Sequence, residues 1–250
     1  MMHRRKEEQF FLILMYLSLI IVMGSLIAVF SIVLFKGLSS MSLSMITEVP
    51  KGGYYLGKEG GILNAIIGSL YLAAGSIILA IIMSLPVAWY LNKAPCSKFC
   101  RFIRDSLDIA NGIPSLIYGS FAFLLMVFFH QRASLGWGII TVALFISPIL
   151  IRAMDEVMQM VPQDIRHAAE SLGSTDIETL FHAVTKQALP GIITAIIIAF
   201  GRAIGDAAAV LFTAGYTDNI PTSLSDPVAT LPLAIFFQLS SPFPEVQGRA

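Results

Sequence analysis

The sequence predicts an all-α polytopic membrane protein, that is, a helical chain that crosses the bilayer several times. Hydrophobic residues make up 56% of the 250 residues and charged residues only 13%, whereas ordinary soluble domains carry about 25% charged residues. Several apolar runs reach the roughly 20 residues that a spanning helix needs. A soluble domain of this size could not bury so much apolar surface, so the bilayer is the expected solvent.

Five apolar runs are predicted to span the membrane. The first follows Arg4, Arg5 and Lys6 and is too long for the apolar core of a signal peptide, which has about 7–15 residues. Pro86 predicts a kink in the second. Another apolar stretch, residues 231–239, is too short to cross and is predicted to be interfacial or re-entrant. The five predicted spans are residues 10–35, 62–91, 113–129, 135–151 and 191–215.

The distribution of basic residues predicts the orientation. Segments on the N-terminal side of the membrane hold ten Lys and Arg residues and those on the other side hold five, which places the N-terminus in the cytoplasm. Residues 1–61 then form a cytoplasmic tail, the first span and an outer loop, and residues 62–250 form the main transmembrane domain. The loop at residues 152–190 is the long cytoplasmic segment.

This loop has the pattern of a helix, a break and a second helix. Pro162 suits a first helical position, and Gly173 suits the left-handed residue just past a helix end. Thr175 and Glu178 match a capping box that starts the second helix. The first helix has an apolar face and a polar face: Ile165, Ala168, Ala169 and Leu172, and Asp164, Arg166 and Glu170, respectively. Periodicity alone favours a hairpin that lies on the membrane or packs on its own bundle over one that docks a partner.

The fifth predicted span contains two charged residues. Arg202 and Asp206 are four residues apart, which places both on one face of a helix, and Arg202 lies roughly 17 Å from Gly191, near the middle of the membrane. Because charges at this depth are unfavourable, both must face the bundle interior or a wet cavity, against each other. Two readings stay open: a static salt bridge, or Arg202 on an anion path with Asp206 as its counterion. Gly201 and Gly205 predict close helix packing.

Several functional classes are disfavoured by the sequence. With 16 basic and 16 acidic residues, the chain lacks the basic face that nucleic-acid binding needs. Cys96 and Cys100 are predicted to be a free, reduced pair and not a metal site. No phosphate-binding Gly-rich loop with Lys-Ser/Thr occurs, so the chain is not expected to hydrolyse a nucleotide itself. An intramembrane enzyme would need a catalytic group within the membrane, where Asp206 is the one clear carboxylate. We therefore expect no catalytic residue.

The stretch His167-Ala168-Ala169-Glu170, with Gly173 three residues later, resembles the EAA loop of ABC importer permeases. The resemblance implies that these residues form a coupling helix seated in a cleft of a cytoplasmic ATPase. It favours docking over the membrane-surface hairpin, and a channel that works without ATP would leave the loop unexplained. His167 stands where the family has Glu, so an ion pair at that position is not expected.

Further motifs resemble the phosphate permeases of binding-protein-dependent type I ABC importers. They are residues 68–72, 112–119, 201–206, 211–215 and 230–232. The resemblance implies a type I permease bundle in the bacterial cytoplasmic (inner) membrane that translocates phosphate by alternating access, with Arg202 and Asp206 on the substrate path. It implies a homologous second permease, an ABC ATPase dimer, an extracytoplasmic phosphate-binding protein and surrounding lipid as partners, and no cofactor in this chain.

Two expectations follow from the limits of this resemblance. The family has a sixth span directly after the residues that match 247–250, so we expect the given sequence to be one span short. The alternative substrate is another oxyanion, such as sulfate or molybdate, or a small organic solute, because the residues alone do not distinguish them.

Overall fold

The computed structural model describes residues 2–38, 41–51, 60–93 and 97–250, with side chains from residue 8 onward. This part of the chain is helical apart from turns and one isolated bridge between Pro50 and Gly60. Cys96 and the side chains of the basic N-terminal cluster lie outside the described residues. The helices are α1 (Met2–Leu38), α2 (Leu43–Thr47), α3 (Leu63–Lys93), α4 (Lys98–Asn111), α5 (Ser115–Phe128), α6 (Leu135–Gln159), α7 (Gln163–Ser171), α8 (Asp176–Glu178), α9 (Thr185–Gly205), α10 (Leu231–Leu239) and α11 (Pro244–Arg249), with a π-helical turn at Thr179–Val184 between α8 and α9.

Four helical segments of the described chain are long and apolar enough to cross a membrane, and a fifth span results if α4 and α5 are counted together. The predicted all-helical, multi-span fold is therefore confirmed. Apolar side chains on every side of α1 are exposed, from Phe10 at 59% to Phe35 at 78%. A helix that is apolar all round and unburied in its own chain is suited to lipid or to another membrane subunit.

The third predicted span, residues 113–129, corresponds to α5, which reaches span length only together with α4. The helix α5 has 14 residues, about 21 Å, which falls short of a hydrocarbon core of about 30 Å. It meets α4 at 97° across the break at Gly112 and Pro114. No helix is predicted over α4, although Cys100, Ile103 and Leu107 recur at helical spacing and pack against the bundle.

The centre of the bundle is formed by α3, α6 and α9. Small buried residues line their contacts and let the backbones approach closely. They include Ala73, Ala80, Ala88, Ala143, Ala195 and Ala199. Hydroxyl groups add bonds between helices, because Ser76 donates to the carbonyl of Ile139 (3.3 Å) and Ser84 to that of Ser147 (3.4 Å). Pro86 and Pro148 lie inside α3 and α6, which continue past them.

The fifth span lies closer to the N-terminus than predicted. It runs as one continuous helical segment over Asp176–Gly205, so the second helix of the cytoplasmic hairpin and the span are the same element. Pro190 lies inside α9 and does not interrupt it. The predicted continuation to residue 215 is wrong, because Asp206 is extended (φ −84°, ψ 121°) and the helix ends there.

The chain after the fifth span forms turns and two short helices. Nine residues make up α10, about 14 Å, so the prediction that residues 231–239 cannot cross is confirmed. Before it, Asp226 accepts hydrogen bonds from the backbone N–H and hydroxyl of Thr222 (both 2.9 Å) and from the N–H of Ser223 (2.8 Å). These bonds, led by the Thr222 backbone N–H, lower the pKa of Asp226 and fix the loop.

Replacing Gly119 by Ala should destabilise the fold. A Cβ there would lie 2.6 Å from the carbonyl oxygen of Ala209 and 3.0 Å from that of Ala208, and backbone atoms cannot move aside cheaply. We expect a loss of about 1–3 kcal/mol, typical of overpacking, measured as a lower melting temperature of the purified complex. Gly24→Ala is the control, since nothing lies within 4 Å of its Cβ position; an equal effect of both variants would contradict the packing described.

Candidate functional site

The end of the fifth span is a helix break capped by a carboxylate. After Gly205 the chain turns, and the Oδ1 atom of Asp206 accepts a hydrogen bond from the N–H of Ala209 (2.8 Å). A carboxylate three residues before a donor N–H is the arrangement of a helix N-cap, here starting the turns at residues 208–214. Asp206 therefore organises the chain after the break.

Arg202 lies in the last turn of α9, beside this break. Its guanidinium carbon lies 4.8 Å from the centroid of the Phe145 ring, a cation–π contact. Phe145 belongs to α6 and lies roughly 15 Å along that helix from Leu135, at 1.5 Å per residue, so the guanidinium lies beside the interior of a candidate membrane span. A positive charge is also favourable at a helix C-terminus, where the backbone carbonyls point.

The prediction that Arg202 and Asp206 lie against each other on one helix face is wrong. Because the helix ends at Gly205, the i, i+4 spacing no longer places the two side chains together. In the part of the chain that the structure describes, no ion pair involves Arg202, and Asp206 bonds to Ala209 instead. Their assignment to a substrate path stays a prediction.

The face of α9 that carries Arg202 is open in this chain. Nothing lies within 4 Å of the position that a Cβ would take at Gly201 or Gly205, and both glycines are exposed. Close packing at this pair, predicted from the Gly-x-x-x-Gly spacing, does not occur among the described residues. It stays a prediction for a partner subunit.

The cytoplasmic hairpin has the predicted caps. Gly173 has φ +88°, and the N–H groups of Gly173 and Ser174 donate to the carbonyls of Glu170 (2.9 Å) and Ala169 (3.2 Å). Thr175 and Glu178 form the full capping box at the start of α8. Gly173 meets nothing within 4 Å, so a glycine is required there by its backbone conformation alone.

The two faces of α7 differ from the prediction. Ile165, Arg166 and Ala169 are half-buried towards the bundle, whereas Leu172 is 89% exposed. The prediction placed Arg166 on the solvent face and Leu172 on the buried stripe. Arg166 turns inward because Asn92 offers it an acceptor, with a distance of 2.7 Å between Nη2 and Oδ1.

The exposed side of α7 carries the other predicted coupling residues. His167 and Glu170 face outward with their side chains 3.5 Å apart, and Ala168 is exposed beside them. Exposed apolar residues of the neighbouring turn extend this surface, at Ile177 and Phe181. The hairpin thus presents a mixed apolar and polar surface that the chain itself does not cover.

Sequence reasoning missed a buried polar cluster beneath α7. Asp155 of α6 is completely buried and pairs with Arg104 of α4 (Nε to Oδ2, 2.8 Å), while Asn92 of α3 bonds to both Asp155 and Arg166. The predicted fourth span stopped at residue 151, which left Asp155 in a loop. Leu150, Met154 and Met158 continue at four-residue spacing and could have extended the helix.

No group of three potential ligands (His, Cys, Asp or Glu) lies together in the described part of the chain, so nothing there is arranged to hold a metal ion. Cys100 is buried and free. The geometry therefore defines a multi-pass helical membrane protein with two candidate functional regions: a helix break beside a cation at the end of the fifth span, and a helix pair at its other end with an uncovered surface.

Comparison with known proteins agrees with this class. The family model described as the binding-protein-dependent transport system inner membrane component matches residues 84–239. The phosphate transport system permease protein PstA of Haemophilus influenzae is 31% identical over 96% of this chain and 84% of its own length. That of Yersinia pestis is 33% identical over 99% of this chain and 83% of its own. A crystal structure of an amino acid ABC transporter with histidines shares the fold, with a TM-score of 0.56 at 19% identity over 75% of this chain and 81% of that one.

The chain belongs to the family of binding-protein-dependent transport system inner membrane components. The family predicted from the motifs is thereby confirmed. Membership makes the chain a membrane component of a transport system and not an enzyme.

Replacing Gly173 by Ala should loosen the hairpin without any clash. A left-handed conformation costs about 1–2 kcal/mol for a residue with a Cβ, and Asn tolerates it better than Ala. We expect faster hydrogen exchange at residues 173 and 174 in the order Gly, Asn, Ala, measured by mass spectrometry. The same exchange rate in all three would show that the turn does not depend on the left-handed conformation.

Proposed function

We propose that this chain is the permease subunit of an ATP-driven importer that carries inorganic phosphate across the bacterial cytoplasmic membrane. The family supports the role of permease, and the names of the relatives that align over nearly the whole chain support phosphate. The observation that carries the proposal in this molecule is the guanidinium of Arg202 beside a helix break at mid-membrane depth.

The chemistry of Arg202 fits an oxyanion. A charge at this depth costs about 2.5–3.5 kcal/mol on insertion scales, and no carboxylate among the described residues pairs with it. The Phe145 ring and the helix C-terminus stabilise the cation only in part. A phosphate would supply the missing negative charge and accept paired hydrogen bonds from the planar fork.

A transport site must also release the anion. Because the ring and the helix end already stabilise Arg202 when no anion is bound, loss of phosphate does not leave an isolated buried charge. In this proposal Asp206 contributes by capping the turns after the break and holding α9 at its end, which fixes where Arg202 stands. Broken helices with unwound backbone near mid-membrane recur at transporter substrate sites.

The open face of α9 fits a second, homologous permease. Gly201 and Gly205 offer close approach, and Ile197 and Ile198 are each 64% exposed nearby. A partner helix on this face would enclose the path beside Arg202, since one chain leaves it open.

The hairpin of α7 and α8 fits a cleft in a cytoplasmic ATPase dimer. Its uncovered surface includes His167, Glu170 and Leu172, and the ATPase would bind the ATP that this chain has no loop to hold. Closure of the ATPase dimer on ATP would move α7 and reorient the bundle from inward-open to outward-open. The N-terminus is then cytoplasmic, in agreement with the positive-inside rule, and the loop fixed by Asp226 faces the phosphate-binding protein outside.

Arg202→Gln should abolish phosphate uptake while the complex still assembles. The substitution keeps a polar side chain and removes the charge that attracts the anion. Uptake of labelled phosphate by proteoliposomes containing the full complex is the measurement. Arg101→Gln, which removes an exposed charge from α4, is the matched control and should transport normally. Normal uptake by Arg202→Gln would contradict the assignment.

Anion competition in the same assay distinguishes the substrates. Excess unlabelled phosphate should suppress uptake, whereas sulfate and molybdate should not. Suppression by sulfate or molybdate, with no transport of phosphate by the complex, would support the alternative, a permease of the same architecture for another oxyanion.

A further inference from the structure

A buried ion pair lies directly beneath the coupling helix α7. Arg104 of α4 donates twice to the carboxylate of Asp155 in α6, through Nε (2.8 Å) and Nη2 (3.1 Å). The same Nη2 also donates to the carbonyl of Leu91 near the end of α3 (3.1 Å). Asp155 has no exposed surface. Removing one member of such a pair leaves a buried charge without its partner, so the pair fastens three helices together.

Asn92 extends this pair towards α7. Its Nδ2 donates to Asp155 Oδ1 (3.1 Å), and its Oδ1 accepts from Nη2 of Arg166 (2.7 Å). A side-chain amide is suited to this place because it carries a donor and an acceptor at once. One side chain, 2% exposed, thus joins the carboxylate of the bundle to the guanidinium of the coupling helix.

Arg166 supplies the one side-chain hydrogen-bonding link from α7 to the bundle within the described residues. Its Nη2 reaches the Asn92 oxygen and the Met158 carbonyl (3.4 Å), and no residue of α7 is fully buried. The other side-chain contacts of α7 are local, between His167 and Glu170 and from Ser171 to its own helix. Ile165 also packs against the core of the bundle, but an apolar contact is not directional.

The hydrogen bond between Asn92 and Arg166 is weaker than the ion pair between Arg104 and Asp155. Both acceptors of Arg166 are neutral, its Nε is buried without a partner, and no ion pair involves it in the described part of the chain. A hydrogen bond between a charged and a neutral group contributes less than a buried ion pair, whose loss leaves an uncompensated charge. The hydrogen bond between Asn92 and Arg166, called the joint from here on, can therefore break while Arg104 and Asp155 stay paired.

We infer that Asn92 is a positioning residue that transmits movement of α7 to the ends of α3, α4 and α6. Movement reaches these helices as a unit because Asp155 and Arg104 hold them to each other. The inference rests on the proposed function, in which an ATPase moves α7. When the hydrogen bond between Asn92 and Arg166 is lost, α7 still moves with the ATPase, but α3, α4 and α6 do not.

The test is Asn92→Leu in the full complex. Leucine has nearly the same volume and removes all three side-chain hydrogen bonds of Asn92, two to Asp155 and one from Arg166, while the Arg104–Asp155 pair remains. We expect phosphate uptake to fall by about tenfold, in the range of couplings between distant sites, with ATP hydrolysis retained within about twofold. Glu48→Gln is the control, because it breaks the exposed Lys51–Glu48 pair (2.8 Å), whose residues do not contact Asn92, Asp155 or Arg166, and it should leave both activities unchanged.

Arg166→Leu distinguishes loss of the joint from a folding defect. It removes the same hydrogen bond from the side of α7, where the Arg166 side chain is only half-buried. It should uncouple the complex as Asn92→Leu does, and the double variant should be no worse than either single one, because all three remove the same link. Additive losses, or parallel loss of hydrolysis and uptake, would overturn the inference. Normal uptake by Asn92→Leu would do the same.

A readout that does not depend on the solute separates this inference from the proposed function. Trapping the complex with ATP and vanadate should change hydrogen exchange in residues 86–93 of the wild-type chain. Asn92→Leu should abolish that change and keep the change in residues 163–171. A wild-type complex that fails to carry phosphate overturns the proposed function alone, whereas an unaltered response of residues 86–93 in Asn92→Leu overturns the inference.

Discussion

The backbone after Gly205 leaves the helix at the depth where a bilayer offers no hydrogen-bond partners, and the site depends on how that break is satisfied. Asp206 accepts from Ala209, the carbonyl of Thr213 accepts from Ser134 (2.9 Å), and that of Ala214 accepts from Val228 (2.9 Å). Protein groups thus replace the water that is missing. The break in turn leaves Arg202 in a terminal helical turn, with the Phe145 ring beneath it and one side open.

In the proposed mechanism, the hairpin that the ATPase moves and the region around Arg202 lie on one element. The segment Asp176–Gly205 starts at the cytoplasmic capping box and ends at the break beside Arg202, so a displacement of the hairpin acts on the far end of a continuous helix. The polar joint at Asn92 gives a second connection, from α7 to the rest of the bundle.

Short-range patterns in the sequence were enough to predict most of the spans and the caps of the cytoplasmic hairpin. Long apolar runs gave the first, second and fourth spans, and the Thr175–Glu178 box and Gly173 gave the caps, because each depends on a few neighbouring residues. The end of the fifth span could not be predicted in this way: Gly201 to Asp206 has helical spacing, and the break depends on partners at Ser134 and Val228. The bond between Asn92 and Arg166 joins residues 74 positions apart, a distance at which one sequence carries no pairing signal.

Thiol labelling at position 202 tests most directly whether the end of α9 lines a water-filled path. The variant is Arg202→Cys in a chain with Cys96→Ser and Cys100→Ala, assembled in the full complex and treated with a membrane-impermeant reagent from either side. We predict labelling from the cytoplasmic side in the resting complex and from the outer side after trapping with ATP and vanadate. Failure to label from either side in both states would place this side chain in a packed interface and contradict the account.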